Sequence, residues 1–444
     1  MEIATPPTEV GTVDAHAPAV VASPRLSGGL IAIFAVACGL AVGNLYYAQP
    51  LLETIRRTFG VDEAASGLII TVSQLGYALG LVLLAPLGDL FENRRLIVTI
   101  LFGTVAALIA AAFTESFGEF VAAMLAIGVT SVVAQVLVPF AAALAPAEAR
   151  GRVIGQVQGG VLLGILLARA GSGIVSDALG WRAVYVISAV LLAVMTVVLY
   201  RVLPIRRPAF AEGYGPLIAS LGRIFREEPI LRRRAFYQAA MFGTFSAFWT
   251  SITFLLSGPP FHFSETWIGV FALVGATGAL FAPIAGRLGD RGYGHRLTGV
   301  AFVLAGGGML LTLLQSRLWA LIAGAILIDL GVQTTMVLGQ RIVFALKPAE
   351  RSRLNTLYIA TLFAGGAVGS AVSGIAYAHA GWTGVVGFGA ALPLAALLFW
   401  LTERRVRPRP NSHGDRLGLG ALAHRAVEHL GEAVDVARRR DVDA

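Results

Sequence analysis

Twelve separate apolar stretches constrain this chain more than any other feature of its sequence. Each is roughly 17 to 26 residues long, enough for an α-helix to cross a bilayer hydrocarbon core of about 30 Å. Charged residues make up 14% of the 444 residues, against roughly 25% in soluble globular proteins, so a soluble fold is excluded. The stretches cover approximately residues 28–50, 66–87, 96–113, 119–143, 153–175, 182–202, 235–256, 266–286, 297–314, 318–343, 354–376 and 383–402.

Basic residues are distributed unevenly between the two sides of the predicted membrane region. Of the 34 Lys and Arg residues, 29 fall on the side that holds both termini, four fall on the other side, and Arg169 lies inside a span. Under the positive-inside rule this asymmetry predicts that both termini are cytoplasmic. The net charge of +8 is therefore attributed to membrane orientation, and no nucleic-acid partner is predicted.

The spans and the polar segments between them predict five parts of the chain. In the central polar segment, apolar residues at helical spacing predict an amphipathic helix on the inner membrane surface. The parts are a disordered cytoplasmic tail (1–27), a six-helix bundle (28–203), a cytoplasmic linker (204–234), a second six-helix bundle (235–402) and a cytoplasmic tail (403–444).

An internal repeat relates the two bundles. Several landmarks recur at an offset of 201 or 202 residues: Asp89 and Asp290, the Pro-Ala-Glu segments at 146 and 348, and the Gly-Trp pairs at 180 and 381. Because six spans is an even number, both halves enter the membrane from the same side. They are therefore predicted to be parallel repeats about an axis along the membrane normal.

Short motifs add a family resemblance to this pattern. The loop after the second span reads PLGDLFENRRL (86–96), its repeat reads GRLGDRGYGHRL (286–297), and the first span ends in NLYYAQPLL (44–52). With these motifs the chain resembles the major facilitator superfamily, and within it a bacterial, efflux-type, drug:proton antiporter-like member. The resemblance implies an all-α fold of twelve transmembrane helices in two six-helix bundles related by a pseudo-two-fold repeat.

The resemblance also implies a latch on the cytoplasmic side. In the family, the motif aspartate holds that side closed when the cavity opens outward, which puts this role on Asp89, with Arg94 and Arg95 nearby. Asp290 and Arg291 are the corresponding residues of the repeat. The alternative is that these charges only enforce a tight turn and the membrane topology. The loop departs from the family pattern at Leu90 and Glu92.

Two charged residues are predicted to lie deep inside spans, Arg169 in the fifth and Asp329 in the tenth. A charge at membrane depth costs at least a few kcal/mol, so each should face a cavity or a partner. Helix counting places Asp329 roughly 16 Å and Arg169 roughly 9 Å from the outer ends of their spans. Asp329 is the hypothesised proton-coupling carboxylate, and Arg169 a substrate or anion contact. The alternatives are a structural Asp329 satisfied by hydroxyls or Arg341, and a structural hydrogen-bond hub at Arg169. The family geometry argues against direct contact between the two.

Uncharged polar and aromatic residues supply candidates for the substrate cavity, because the resemblance places spans one, four, seven and ten around the centre. A pocket of aromatic faces and a few amides suits an amphiphilic or weakly polar small molecule. Helix packing and interface anchoring are the alternative roles. The candidates are Asn44, Tyr47, Gln135, Ser246, Trp249 and Gln333.

These features together predict a secondary active transporter rather than an enzyme. Chemistry at depth would need a nucleophile, a metal cluster or paired acids, whereas the spans offer one Cys, one Asp and no His at the midplane. No phosphate-binding loop for ATP is present. No catalytic residue, metal or cofactor is predicted. The expected protein is a monomer in the inner (cytoplasmic) membrane that exports a small molecule in exchange for protons. The alternatives are uptake or facilitated exchange of a sugar, amino acid or organic anion, and a structural or sensor membrane protein.

Overall fold

The computed structural model describes residues 27–205, 213–347 and 350–403. Most of both predicted tails, part of the predicted linker, and Pro348 of the repeat lie outside these residues. The helices are α1 (Gly28–Gly43), α2 (Ala48–Phe59), α3 (Glu63–Leu83), α4 (Asn93–Ala112), α5 (Phe117–Thr130), α6 (Val133–Leu144), α7 (Arg150–Leu179), α8 (Trp181–Val202), α9 (Tyr214–Glu227), α10 (Pro229–Ser257), α11 (Glu265–Phe271), α12 (Ala276–Leu288), α13 (Gly294–Leu311), α14 (Leu318–Leu346) and α15 (Arg351–Leu401).

Polar residues fix where several helices begin. Asp62 accepts a hydrogen bond from the backbone N–H of Ala65 at 2.7 Å and so caps α3. Ser116 and Glu119 form a reciprocal capping box at the start of α5. These side chains satisfy backbone donors that have no partner within the helix, which is why the apolar segments start at these residues.

The described residues contain ten helical stretches long and apolar enough to cross a membrane. Two of these stretches, 265–311 and 351–401, each contain a reversal at a glycine with positive φ: Gly292 at 88° and Gly381 at 58°. Each therefore supplies two of the predicted spans, and the all-α, twelve-span fold is confirmed. Conversely, three predicted spans each consist of two helices with a break between them. These pairs are α1 and α2, α5 and α6, and α11 and α12, and the 3₁₀ segment Ala272–Gly275 joins the last pair.

Close helix contacts through glycine show the repeat in three dimensions. A Cβ added at Gly160 or Gly164 of α7 would lie 2.4 Å from the backbone of α1. In the second half, a Cβ at Gly365 or Gly369 of α15 would lie 2.3 or 2.2 Å from the backbone of α10. Because only glycine permits this approach, α1–α7 and α10–α15 are equivalent tightly packed pairs.

The segment between the halves packs against the membrane helices. Helix α9 buries Leu217, Leu221 and Ile224, and the Tyr214 hydroxyl donates to the Leu83 carbonyl at 2.9 Å. Lys347, which follows α14, lies 2.9 Å from the Glu228 carboxylate. This hydrogen bond to the Glu228 carboxylate raises the pKa of the Lys347 ammonium.

On the side opposite the start of α1 and the end of α15, the two halves meet through a group of residues that we call the seam. The Thr54 hydroxyl donates to the Glu265 carboxylate, and the Thr253 hydroxyl donates to the Gln49 carbonyl at 2.9 Å. The Asp177 carboxylate accepts from the backbone N–H of Thr266 at 2.9 Å. A Cβ at Gly173 would lie 2.2 Å from the Glu265 carbonyl oxygen, so α7 and α11 touch backbone to backbone. The seam consists of Gln49, Thr54, Gly173, Asp177, Thr253, Glu265 and Thr266.

Candidate functional site

The two deep charges lie at nearly the same depth. Helix α7 continues to Leu179, so Arg169 is ten residues from its end, or about 15 Å at the helical rise. Asp329 is eleven residues from Leu318, the start of α14, or about 16 Å. The depth expected for Arg169 was too shallow, because polar residues near Asp177 do not end α7 but are used in the seam.

Arg169 is enclosed by aromatic rings. Its guanidinium carbon lies 4.7 Å from the centroid of the Trp249 ring, 4.9 Å from that of Tyr46 and 5.4 Å from that of Phe245. These distances are those of cation–π contacts, which are strongest where water is excluded. Arg169 is only 2% exposed, so the rings replace part of its hydration.

Asp329 faces the same small volume from the second half. Its Oδ1 accepts a hydrogen bond from Trp249 Nε1 at 3.2 Å, and the residue is 3% exposed. A Cβ added at Gly275 would lie 2.8 Å from Asp329 Oδ2 and 3.6 Å from Arg169 Nη1. The opposite charges therefore lie near one point between the halves, each approaching Gly275, with no hydrogen bond between them among the described residues.

Three polar atoms at this point have no hydrogen-bond partner among the described residues. They are Nε and Nη2 of Arg169 and Oδ2 of Asp329, all buried. Buried polar groups are normally hydrogen-bonded, and leaving a charged group unsatisfied costs several kcal/mol. The site therefore has capacity for a further ligand or proton.

Interruptions in two spans build this site. Tyr46 lies in the turn at 44–47 between α1 and α2, and Gly275 ends the 3₁₀ segment between α11 and α12. Such breaks change which face of a span points to the centre, and they free backbone groups at depth. Discontinuous helices between two repeats are the usual setting of substrate and ion sites in transporters.

The other predicted cavity residues separate into two groups. Ser246 and Trp249 lie between the halves, where the Ser246 hydroxyl accepts from the Gln74 amide at 3.0 Å. Asn44 and Tyr47 instead lie within the first half, where the Ser188 hydroxyl lies 3.0 Å from Asn44 Oδ1 and 3.2 Å from the Tyr47 hydroxyl, within hydrogen-bond distance of both.

Two further candidates bond or pack to neighbouring helices. The Gln135 amide donates to the Tyr77 hydroxyl at 3.3 Å, linking α6 to α3. Gln333 packs against α12, where its Cγ would lie 3.0 Å from a Cβ at Gly278. Their role in ligand binding stays a prediction.

Sequence reasoning missed Phe245, Gly275 and Gln74 as members of this centre. Aromatic and glycine residues are common in membrane spans, so neither type stands out. The signal that could have found Gln74 is its polarity within an otherwise apolar span, the same criterion that selected Gln135. In the part of the chain that the structure describes, no group of three or more His, Cys, Asp or Glu could hold a metal ion.

The comparisons with known proteins identify the family. The model of the Major Facilitator Superfamily matches residues 30–314 and 240–437. The chain belongs to this superfamily. It is 42% identical over 381 residues to a putative uncharacterized transporter, YgaY, of Escherichia coli K12, covering 85% of this chain and 96% of that protein. It is 35% identical to a probable transporter, SCO4007, of Streptomyces coelicolor, covering 85% and 87%.

A solved structure agrees on the fold. A bacterial homologue of the human lysosomal transporter Spinster, in an inward-facing and occupied conformation, matches with a TM-score of 0.68 at 15% identity, covering 84% of this chain and 96% of that one. This superfamily member is therefore a multi-pass membrane protein and a secondary transporter of small molecules, not an enzyme.

The predicted latch residues of this superfamily member lie at the connections that precede α4 and α13, with Arg94 and Arg95 in the first turn of α4, on the side where α1 begins and α15 ends. Asp89 and Arg95 are exposed, whereas the Arg94 guanidinium lies 4.3 Å from the ring centroid of Tyr200 on α8. In the repeat, Asp290 pairs with Arg341 of α14 at 2.9 Å, and Arg291 is exposed. Arg341 thus bonds at the helix end and is not the partner proposed for Asp329.

We expect replacement of Asp290 with Asn to change the stability of the protein only slightly. The two side chains of the Asp290–Arg341 pair are 69% and 49% exposed, and such surface pairs contribute about 0–1 kcal/mol. The unfolding temperatures of D290N and wild type in detergent, at low and at high salt, measure this change in stability. The difference in unfolding temperature should vanish at high salt, and a difference that persists would show that the pair is more than a screened surface contact.

Proposed function

We propose that this chain is a proton-coupled transporter in the inner (cytoplasmic) membrane, with Asp329 as the group that takes up and releases the proton. The observation that carries the proposal is the burial of the Asp329 carboxylate between the halves, against Trp249 and beside the Arg169 guanidinium. Ionisable residues at membrane depth are costly and mark proton or substrate pathways.

Alternating access supplies the cycle. In such a cycle, opening the seam would expose the buried site to the compartment on that side, and closing it would let the opposite side open instead. A carboxyl group is negative when ionised and neutral when protonated, so its attraction to Arg169 differs between the two forms. Protonation therefore biases which side opens, because a bound species shifts a conformational equilibrium only through different affinities for the two states.

The distribution of basic residues supports a cytoplasmic location for both termini. The resemblance to efflux-type transporters then supports export in exchange for entering protons. In this cycle Asp89, Arg94, Arg95, Asp290 and Arg291 would stabilise closure of the cytoplasmic side. Uptake is the second candidate. For uptake, the unpartnered Nε and Nη2 groups of Arg169 favour an anionic substrate.

Proton flux in vesicles tests the proposal. The purified full chain is reconstituted into vesicles filled with a pH-sensitive dye, and compounds of several chemical classes are added outside. We expect at least one class to change the internal pH in these vesicles and not in protein-free vesicles. Exchange of a labelled compound without any accompanying proton movement would contradict the proposal. The sign of the pH change distinguishes the two directions of coupling. The vesicle interior becomes alkaline if the compound enters in exchange for protons and acidic if it enters together with them.

A further inference from the structure

We infer that Arg169 binds the carboxylate of a flat, aromatic organic anion side-on, through its Nε and Nη2 groups. The inference rests on the proton coupling at Asp329 proposed above, takes uptake, the second candidate given there, as the direction of transport, and names the substrate class of the same site. Both nitrogens are buried and have no acceptor among the residues that the structure describes. They form one straight edge of the guanidinium, whose two parallel N–H groups match the two oxygens of a carboxylate.

Asp329 does not occupy this edge. Of the Arg169 nitrogens, Nη1 lies nearest to the point beside Gly275 that Asp329 Oδ2 also approaches, whereas Nε and Nη2 have no hydrogen-bond partner among the described residues. Because the guanidinium is planar and rigid, a group near Nη1 leaves the Nε–Nη2 edge for another acceptor. Trp249 Nε1 is already engaged by Asp329 Oδ1, so it does not compete for the incoming anion.

The rings around Arg169 favour a flat, apolar body attached to the carboxylate. Tyr46 comes from the first half, whereas Phe245 and Trp249 come from the second, all within 5.4 Å of the guanidinium carbon. Aromatic pairs gain about 0.5–1.5 kcal/mol beyond the area they bury. A ligand ring that extends from the bound carboxylate would lie against these side chains and bridge both halves.

Charge balance determines how such an anion couples to the proton. The site holds one cation, Arg169, and so accommodates one anion: the ionised Asp329 or the substrate carboxylate. When the substrate binds, Asp329 takes up a proton from the aqueous phase on the open side. The substrate and this proton are then released together on the other side. The O–H bond formed at Asp329 is then broken again, and Asp329 returns ionised beside Arg169. Anion and proton therefore travel in the same direction, which favours uptake.

Binding measurements on the purified full chain test the ligand class. The probes are benzoate, cinnamate and 2-naphthoate, each compared with its own amide near neutral pH. A ligand that binds the folded state raises the unfolding temperature in a concentration-dependent way, from which a dissociation constant follows. We expect at least one carboxylate to bind at least about tenfold more tightly than its amide, since the amide lacks the charge. If every carboxylate binds no more tightly than its amide, the inference is wrong.

Two conservative variants locate the binding. Arg169→Lys keeps the charge but loses the two parallel N–H groups. The preference for the carboxylate over its amide should therefore fall by about tenfold. Arg182→Lys is the matched control, because Arg182 stacks on Trp181 at the surface of the seam side, away from the site, and should leave binding unchanged. Equal carboxylate binding by wild type and R169K would overturn the assignment.

The two proposals fail in different ways. If no carboxylate binds but another compound class drives proton flux that depends on Asp329, the inferred substrate class is wrong and the proposed function is supported. If a carboxylate binds through Arg169 but no compound moves protons, the proposed coupling falls. If both hold, adding the carboxylate outside should acidify the vesicle interior beyond the leak of protein-free vesicles, and alkalinisation would contradict transport in the same direction.

Discussion

Replacing Asp329 with Asn is expected to uncouple transport from the proton gradient while leaving substrate exchange intact. An amide at this position is nearly isosteric and can still accept the hydrogen bond from Trp249 Nε1, but it cannot carry a proton. Each proton that moves down a gradient of one pH unit supplies about 1.4 kcal/mol, a tenfold concentration ratio. We therefore expect gradient-driven accumulation to fall from about tenfold per pH unit to none.

Counterflow and gradient-driven uptake, measured on the same vesicles, separate this effect from misfolding. Counterflow without a pH gradient should persist in D329N, because it needs only binding and alternating access. Asp62→Asn is the matched control: Asp62 is an exposed helix cap, and Asn caps about as well. Asp329→Glu, which retains a carboxyl group, should keep part of the coupling. Undiminished accumulation by D329N would remove Asp329 from the proton pathway.

Replacing Gly173 with Ala is expected to open the seam. The added methyl group would lie 2.2 Å from the Glu265 carbonyl oxygen and 2.8 Å from its carbon, so backbone must move. Overpacking of this kind costs about 1–3 kcal/mol, which corresponds to a shift of about 5- to 150-fold between two conformations. Within α7 the substitution is favourable, since Ala has the higher helix propensity, so the cost falls on the contact with α11.

Labelling of an introduced cysteine measures this opening. The chain has one cysteine, Cys38, which is buried, so a Cys38→Ser background carries Thr253→Cys as the reporter inside the seam. An impermeant maleimide should react faster when Gly173 is also replaced. Gly171→Ala, two residues away on the same helix, is the matched control, because an added Cβ there meets nothing within 4 Å. Equal labelling rates in both variants would mean that the contact at Gly173 does not hold the seam closed.

The sequence predicts the membrane fold well because one physical quantity, the thickness of the hydrocarbon core, sets the length of each apolar stretch. It also identifies Arg169 and Asp329, because a charge at depth is costly wherever the helix points. What it cannot supply is the direction of each side chain around its helix. That direction depends on the helix being continuous, and the turn at 44–47 directs Tyr46 to Arg169 and Tyr47 to Ser188.

The depth of a residue is similarly sensitive to where a helix ends. A polar pair such as Ser176 and Asp177 normally indicates the end of an apolar span, and the predicted fifth span ends just before this pair, at residue 175. In the folded chain Asp177 instead accepts a hydrogen bond from the start of α11 in the other half. That contact joins residues 89 positions apart, so local patterning carries no trace of it.

The turn at 44–47 divides the first membrane crossing into two helices, α1 and α2, which have different neighbours. On one side of it, α1 is held to α7 at Gly39 and Gly164, backbone against backbone. On the other, α2 is bonded to the second half through Gln49 and Thr54. At its far end α2 also contacts the first half, where Thr58 accepts a hydrogen bond from Trp181 Nε1 at 3.1 Å and Phe59 packs on the Trp181 ring. The short peptide around Tyr46 is thus a hinge in a crossing that contacts both halves, and rotation of its backbone dihedrals would change how the rings enclose Arg169.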